Sequence, residues 1–266
     1  MMKNLIKRIR YYGAPKITAG FFLLLVIIYL ICAGLSPIYK RNALNRLTKV
    51  DSVFISTYDS HYNIPILVPL SRQLAYKKAL LYMSENDSIN LVVNLHDSVL
   101  HLTIKGVIIH TTMIRSFDVD PLLLHLANNT YHKIFSQPLR IIEENATIVK
   151  EPVVVRQAPK DPEEAAINAY HPDTLIQNPA FLRMKLDYNF HLVFEQDINT
   201  NWEDKKTAFL FRANYLLPRL IENLKAFFSF KKQAYYPTIS IKVPVNDLRE
   251  IYRALPANAR VVIYYL

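Results

Sequence analysis

Residues 237–263 read Pro237-Thr-Ile-Ser-Ile-Lys-Val-Pro-Val-Asn-Asp-Leu-Arg-Glu-Ile-Tyr-Arg-Ala-Leu-Pro-Ala-Asn-Ala-Arg-Val-Val-Ile263. At the start of this stretch, aliphatic residues at positions 239, 241 and 243 alternate with Thr238, Ser240 and Lys242. Alternation with a period of two is typical of a β-strand that buries one face. The stretch therefore predicts a half-buried strand over residues 238–243.

The same stretch resembles the end of an L,D-transpeptidase catalytic domain. Members of that family end in a Ser-His-Gly-Cys-Ile-Arg-Leu strand, then a helix headed by Asp and ending near a Tyr, then a Pro and a closing aliphatic strand. Ile241, Lys242 and Val243 stand where Ile-Arg-Leu would be, and Asp247, Tyr252, Pro256 and Val261 to Ile263 follow at the family spacing. The resemblance implies a mostly antiparallel β domain.

A second segment, residues 89–111, resembles the opening of the same family. Aliphatic stretches are separated by turn signals at Asp97-Ser98 and at Lys105-Gly106, which predicts three consecutive strands. With the C-terminal segment, it implies an α+β fold over residues 51–266, of L,D-transpeptidase-like type with inserted helices. Residues 113–236 diverge from the family, and the sequence leaves open whether they are an insertion or part of the core.

The family's reactive residues are absent. Pro237, Thr238, Ile239 and Ser240 stand where Ser, His, Gly and the nucleophilic Cys belong, and the one cysteine of the chain is Cys32. A serine nucleophile needs a base within hydrogen-bond reach, which Thr238 cannot supply. The nearest preceding histidine, His191, is distant in sequence. We therefore expect a degenerate site at Thr238 and Ser240, and a pseudo-enzyme.

Three residues beside the degenerate site are candidates for ligand binding. Tyr235 and Tyr236 precede it, and Lys242 lies on the predicted strand. Tyrosines at the mouth of a retained cleft would contact sugar or peptide, although core packing is the commoner role of such side chains.

Composition excludes several classes of function. Only four glycines are present and only Gly106 follows the hydrophobic segment, so neither glycine-rich phosphate loop is possible and no cofactor is expected. The eight histidines have no metal-ligand spacing, so no metal is expected. Half of the formal charge of +10 lies in residues 1–37, which argues against nucleic acid as a partner.

Residues 17–37 are uncharged and long enough to span a bilayer as a helix. We expect a basic cytoplasmic tail (1–16), an uncleaved transmembrane helix (17–37), a polar stalk (38–50) and an exoplasmic domain (51–266). The alternative is a cleaved signal peptide, but no clear cleavage site follows the segment. Since basic residues flank both ends, the periplasmic location of the domain and the inner membrane rest on the resemblance.

Other patterns predict the remaining elements. These are helices over 70–84, 120–135 and 206–230, the last kinked or broken at Pro218, and strands over 147–155 and 183–194.

The leading functional hypothesis is a membrane-anchored scaffold that binds peptidoglycan or envelope proteins without catalysis. One alternative is an acyl transferase or hydrolase of cell-wall peptides that uses Ser240 with a distal base. Another is an anchored subunit of a secretion or division complex, with the resemblance fortuitous.

Overall fold

The computed structural model describes residues 2–49, 65–150, 179–198 and 201–265. The helices are α1 (Met2–Lys49), α2 (Val68–Ser84), α3 (Pro121–Leu124), α4 (Asn128–Phe135), α5 (Trp202–Phe228) and α6 (Val245–Ala254). The strands are β1 (Asn90–Asn94), β2 (Val99–Ile104), β3 (Val107–Met113), β4 (Ser116–Val119), β5 (Leu139–Ala146), β6 (Phe181–Leu186), β7 (His191–Gln196), β8 (Thr238–Val243) and β9 (Arg260–Tyr264).

All nine strands form one sheet in the order β3-β2-β1-β9-β5-β6-β7-β8-β4. Neighbouring strands are antiparallel except for two parallel pairs, β1 with β9 and β7 with β8. A parallel pair needs a crossover connection, and α5 provides one between β7 and β8. The expectation of an α+β, mostly antiparallel domain is confirmed at this level.

The divergent residues 113–236 belong to the core of the sheet. They contribute β4, β5, β6 and β7, and the last three lie between β9 and β8. The two segments that carry the resemblance, β1 to β3 and β8 to β9, are therefore joined directly only through the β1–β9 pair.

The predicted alternation of buried and outward-facing residues over 238–243 is confirmed in β8. Ile239, Ile241 and Val243 are buried in the main hydrophobic core, whereas Thr238 and Ser240 are half-buried and Lys242 is exposed. The amphipathic helix α6 packs against the same core with Leu248 and Ile251. Burial of these aliphatic side chains fixes which face of β8 points outward.

The predicted strand over 183–194 is wrong, because these residues form a hairpin. β6 and β7 are separated by a turn in which Tyr188 and Asn189 have positive φ values of 61° and 58°. Alternation continues through the turn, so Met184, Leu186, Phe190 and Leu192 all remain buried. Alternation with a period of two cannot reveal a turn when apolar and polar residues go on alternating across that turn.

Three other predictions are corrected. The strand expected over 147–155 is found at 139–146; residues 147–150 are not in a strand, and 151–155 lie outside the described residues. The helix expected over 120–135 is two helices, α3 and α4. The helix containing Pro218 is uninterrupted, with Pro218 on its exposed side.

The N-terminal helix is longer than the predicted span. Residues 18–47 contain an apolar stretch long enough to cross a membrane, and the helix extends to Lys49 through the residues expected to form a polar stalk. Leu44 is 3% exposed and belongs to the main core. The Thr130 hydroxyl donates a hydrogen bond to Asn45 Oδ1 at 2.7 Å. The end of α1 is thus part of the domain.

Candidate functional site on the outer face of strand β8

The degenerate site lies on the face of the sheet that α5 partly covers. Ser240 is opposite Val193 of β7 on one side and Asp118 of β4 on the other. Val193 packs in a small cluster with Phe181 and with Phe211 of α5. Because partner residues in a sheet share a face, Thr238, Ser240 and Lys242 all point toward the α5 side.

His191 is the histidine that the fold brings closest to the degenerate site along the sheet. It lies opposite Thr238 in the β7–β8 pair, although 47 positions separate the two in sequence. Its ring stacks on Tyr236 with the ring centroids 5.0 Å apart. Ser240 is two residues further along β8, a diagonal separation of about 7 Å. No hydrogen bond joins Ser240 and His191 among the described residues.

The environment of His191 makes it a weak base. Burial, followed by the positive charges of Arg219, Arg183 and Lys185, lowers the pKa of His191 to about 4. Its Nδ1 atom is buried and has no hydrogen-bond partner among the described residues. General-base catalysis near neutral pH works best when the pKa of the base is near that pH. His191 therefore does not activate Ser240 in this arrangement.

Cations and aromatic rings dominate the same face. The Arg219 guanidinium lies 4.8 Å from the centre of the Tyr236 ring, and the Arg183 guanidinium lies 5.5 Å from that of Tyr215. The Tyr236 hydroxyl donates a hydrogen bond to Glu222 at 2.9 Å. We call Arg183, Lys185, His191, Arg219, Tyr236 and Lys242 the β8-face cluster.

One strong ion pair borders the β8-face cluster. Arg212 of α5 contacts Glu195 of β7 through two hydrogen bonds, at 2.9 and 2.5 Å. Glu195 is buried, and a bidentate geometry is the most favourable for such a pair. This pair fixes α5 on the sheet. Arg183 of the cluster is likewise paired with Glu143 at 3.3 Å, so Lys185, Arg219 and Lys242 are the cluster cations that form no ion pair within the described part of the chain.

The three predicted ligand residues have different environments. The Tyr235 hydroxyl donates a 2.6 Å hydrogen bond to Asp120, which also caps α3 by accepting from the Leu122 N–H. Burial and this carboxylate raise the pKa of Tyr235. Tyr235 thus anchors the chain after α5. Tyr236 and Lys242 both belong to the β8-face cluster, and Lys242 is its exposed member on β8.

Sequence reasoning missed Arg183 and Arg219 as parts of the site. Lys185 and His191 were on the polar face of the predicted strand, but the pattern did not indicate that α5 would cover this face. One signal was available for Asp120, because an Asp directly before a Pro is typical of a helix N-cap. No comparable local signal marks Arg219, since its contact with Tyr236 depends on the return of the chain after α5.

Metal binding is not supported by the described residues, among which no cluster of three or more His, Cys, Asp or Glu side chains occurs. His101 and His110 contact Thr111 and Thr112, respectively, at 2.9 Å. The chemistry that the β8 face offers is recognition of anionic and planar groups. Comparisons of the chain with protein-family models and with curated proteins find no match.

Proposed function

We propose that this chain is a single-pass inner-membrane protein whose periplasmic domain, of L,D-transpeptidase-like descent, binds peptidoglycan without modifying it. The observation that carries the proposal is the contrast on one sheet face: His191 is too weak a base to activate Ser240, whereas the cations and the Tyr236 ring of the β8-face cluster lie on the same face. Residues 1–16 would then be cytoplasmic and residues 51–266 periplasmic, with no catalytic residue, cofactor or metal.

Two further observations support this reading. The two segments that carry the family resemblance meet in one sheet through β1 and β9. The β8-face cluster is also suited to the ligand, because the peptides of peptidoglycan carry carboxylates and its sugars present flat faces. Guanidinium and ammonium groups recognise the former, and tyrosine rings the latter.

The test is co-sedimentation of the detergent-solubilised full chain with isolated peptidoglycan sacculi, followed by analysis of the muropeptides. We expect retention without altered muropeptides, and retention should weaken at high salt. The double variant Lys185→Gln/Lys242→Gln should lower the affinity roughly thirtyfold, since each of the two lost charge–carboxylate contacts is worth about 1 kcal/mol.

A matched control is Lys105→Gln, which removes a charge from the β2–β3 turn, where Lys105 contacts Asp87. Its retention should equal that of the unaltered chain. Equal retention of the double variant would contradict the proposal. Altered muropeptides that disappear in Ser240→Ala would instead support the acyl transferase or hydrolase.

A second candidate, an anchored subunit of an envelope complex, is favoured by the edge strand β3. It lies at one end of the sheet, and no described strand pairs with its outer edge. Val107, Ile108, Ile109 and Met113 are exposed on it. An exposed apolar edge strand can pair with an extended segment of another protein.

This candidate predicts stoichiometric partners that co-purify with the full chain in mild detergent. Ile109→Lys should abolish their recovery, because a charge on an edge strand opposes pairing. Ile142→Lys, on exposed β5 surface, is the matched control and should leave recovery unchanged. If the partners still co-purified with the Ile109→Lys variant, β3 would not be the edge at which they bind.

A further inference from the structure

The second half of α5 is apolar on its outside and covered by nothing in the described part of the chain. The buried residues of this helix, Ala208 and Phe211, both lie in its first half. Beyond them, large apolar side chains recur at helical spacing and remain exposed: Leu216, Leu217, Leu220, Ile221, Leu224 and Phe228. A contiguous stripe of this kind marks a surface that contacts another apolar phase.

The stripe leads toward the membrane-spanning part of α1. Arg219 lies at the Tyr236–His191 stack, and His191 follows the 187–189 turn, whose Tyr188 carbonyl accepts a hydrogen bond from Lys40. Arg219 and Lys40 therefore both contact the part of the domain around residues 188–191. Eight residues after Arg219, Phe227 contacts Tyr29 of α1, with ring centroids 5.5 Å apart. Tyr29 lies about 16 Å along the helix from Lys40, on the side of the hydrophobic span.

The chain turns back at an aromatic residue that is wholly exposed. Phe230 is 100% exposed and has a φ of 53°, a conformation that costs free energy for a bulky side chain. The following segment returns along α5, where the Ala234 N–H donates to Asn223 and the Tyr236 hydroxyl to Glu222. Residues 220–237 thus form a hairpin, and we call its far end, residues 224–233, the α5 tip.

A groove of about 420 Å³ separates the α5 tip from α1. Its walls are apolar, with Leu25, Ile28 and Cys32 on one side and Phe227 and Phe228 on the other. Lys231, Lys232 and Gln233 line it where the chain returns toward the sheet, and the Lys232 ammonium lies 5.1 Å from the Tyr39 ring centre. Gln233 is buried, yet neither the oxygen nor the nitrogen of its side-chain amide has a hydrogen-bond partner in the part of the chain that the structure describes.

We propose that the α5 tip is a second membrane-contacting element, which enters the leaflet on the domain side of the membrane beside Tyr29 of α1 and holds the acyl chain of an anionic lipid in this groove. The apolar walls match a hydrocarbon chain in shape and polarity. The Lys231 and Lys232 ammonium groups extend toward the interface and contact the phosphate, and the Gln233 amide bonds the polar glycerol or headgroup atoms. This inference requires α1 to cross a bilayer and does not depend on what the β8 face binds.

The test uses the full chain reconstituted in vesicles that contain lipids brominated on their acyl chains, which quench tryptophan on contact. The one tryptophan, Trp202, begins α5 at its far end and is 78% exposed, so the unaltered chain is the reference. In the background Trp202→Phe, we expect Phe228→Trp and Phe230→Trp to be quenched at least roughly twofold more strongly than Trp202, with blue-shifted emission. Both positions are exposed, so the larger ring should be tolerated.

Headgroup recognition is tested with brominated phosphatidylglycerol as the minority lipid in phosphatidylcholine, and with the converse mixture. Tryptophan at 228 should be quenched more by the brominated anionic lipid, and Lys231→Gln/Lys232→Gln in the same background should remove that preference. Quenching at 228 and 230 no stronger than at Trp202 would overturn the proposal. Blue-shifted emission without quenching would overturn it in favour of a second copy of the chain, and a preference that survives the lysine changes would overturn the assigned headgroup contact.

Discussion

His191 and Ser240 lie on one face of adjacent strands, yet the two side chains have separate environments. The His191 ring stacks on Tyr236, and its burial, followed by the nearby cations, keeps the imidazole neutral. Near neutral pH, His191 is uncharged in both the folded and the unfolded chain. When the pH falls far enough for His191 of the unfolded chain to bind a proton, the unfolded state gains stability relative to the folded state. Stability should therefore depend on pH where His191 of the unfolded chain takes up a proton.

The first prediction concerns this dependence. The pKa of His191 is about 4 in the folded chain and its ordinary value is 6.5, so the unfolded state binds the proton preferentially between these values. Stability should be complete above about pH 6.5 and fall as the pH is lowered to about 4, by about 1–2 kcal/mol once solvent screening is allowed for. The measurement is thermal unfolding of the full chain in neutral detergent at pH 7 and pH 4.5.

His191→Gln should flatten this pH dependence, because the glutamine side chain does not titrate. Exposed His125→Gln is the control and should retain the slope of the unaltered chain. If the unaltered chain and His191→Gln lost stability equally between the two pH values, the protonation of His191 would not be responsible.

At the scale of elements, local patterns predicted those parts of the fold whose period matched their structure. The strand over 238–243 and the three strands joined by turns at 97–98 and 105–106 were predicted from alternation and turn residues, and they are present. The hairpin at 187–189 was not, because its two residues of positive φ do not interrupt the alternation. Equally, the sequence predicted the polar residues Lys185 and His191 on one face but not their cover, since α5 reaches them only through tertiary packing.

The second prediction concerns the turn between β2 and β3. Lys105 and Gly106 both have positive φ, 51° and 79°, as the two central residues of a type I′ turn require. A Cβ atom at Gly106 would lie 3.0 Å from the Cβ atom of Ser84 in α2. Gly106→Ala should therefore lower the free energy of unfolding by about 1–3 kcal/mol, through both backbone strain and the close contact.

Gly106→Asn separates the two contributions, because asparagine tolerates a positive φ but still introduces a Cβ atom. It should cost less than Gly106→Ala if strain dominates, and as much if the contact with Ser84 dominates. Gly34→Ala, in a helix with no atom within 4 Å of the added Cβ, is the control for the substitution itself. Denaturant unfolding of the full chain measures the free energy of unfolding of all three variants. If Gly106→Ala left this free energy unchanged, the turn geometry would be contradicted.

At the scale of the whole molecule, the last part of α1 connects an apolar helix, long enough to cross a membrane, to the folded domain. The polar composition of residues 38–50 indicated a stalk, but a helix that leaves a bilayer can continue into a folded domain when one of its faces finds a partner. Here that face meets α4: Leu44 enters the core, and the Lys133 ammonium donates a 2.6 Å hydrogen bond to the Leu47 carbonyl. Such contacts are long-range, so the local sequence around residues 38–50 could not predict them.

The third prediction follows from this continuity. If the end of α1 is a core element, Leu44→Ala should lower the free energy of unfolding by about 2–4 kcal/mol, as expected for a buried leucine. It should also broaden the distribution of distances between two nitroxide labels, one on Cys32, the one cysteine, and one on the exposed surface of β5. The reason is that the domain would no longer be held rigidly on the helix.

Leu47→Ala, one turn further along and 38% exposed, is the matched control and should cost less than about 1 kcal/mol. A flexible stalk would instead make the two substitutions indistinguishable and give broad distances in the unaltered chain.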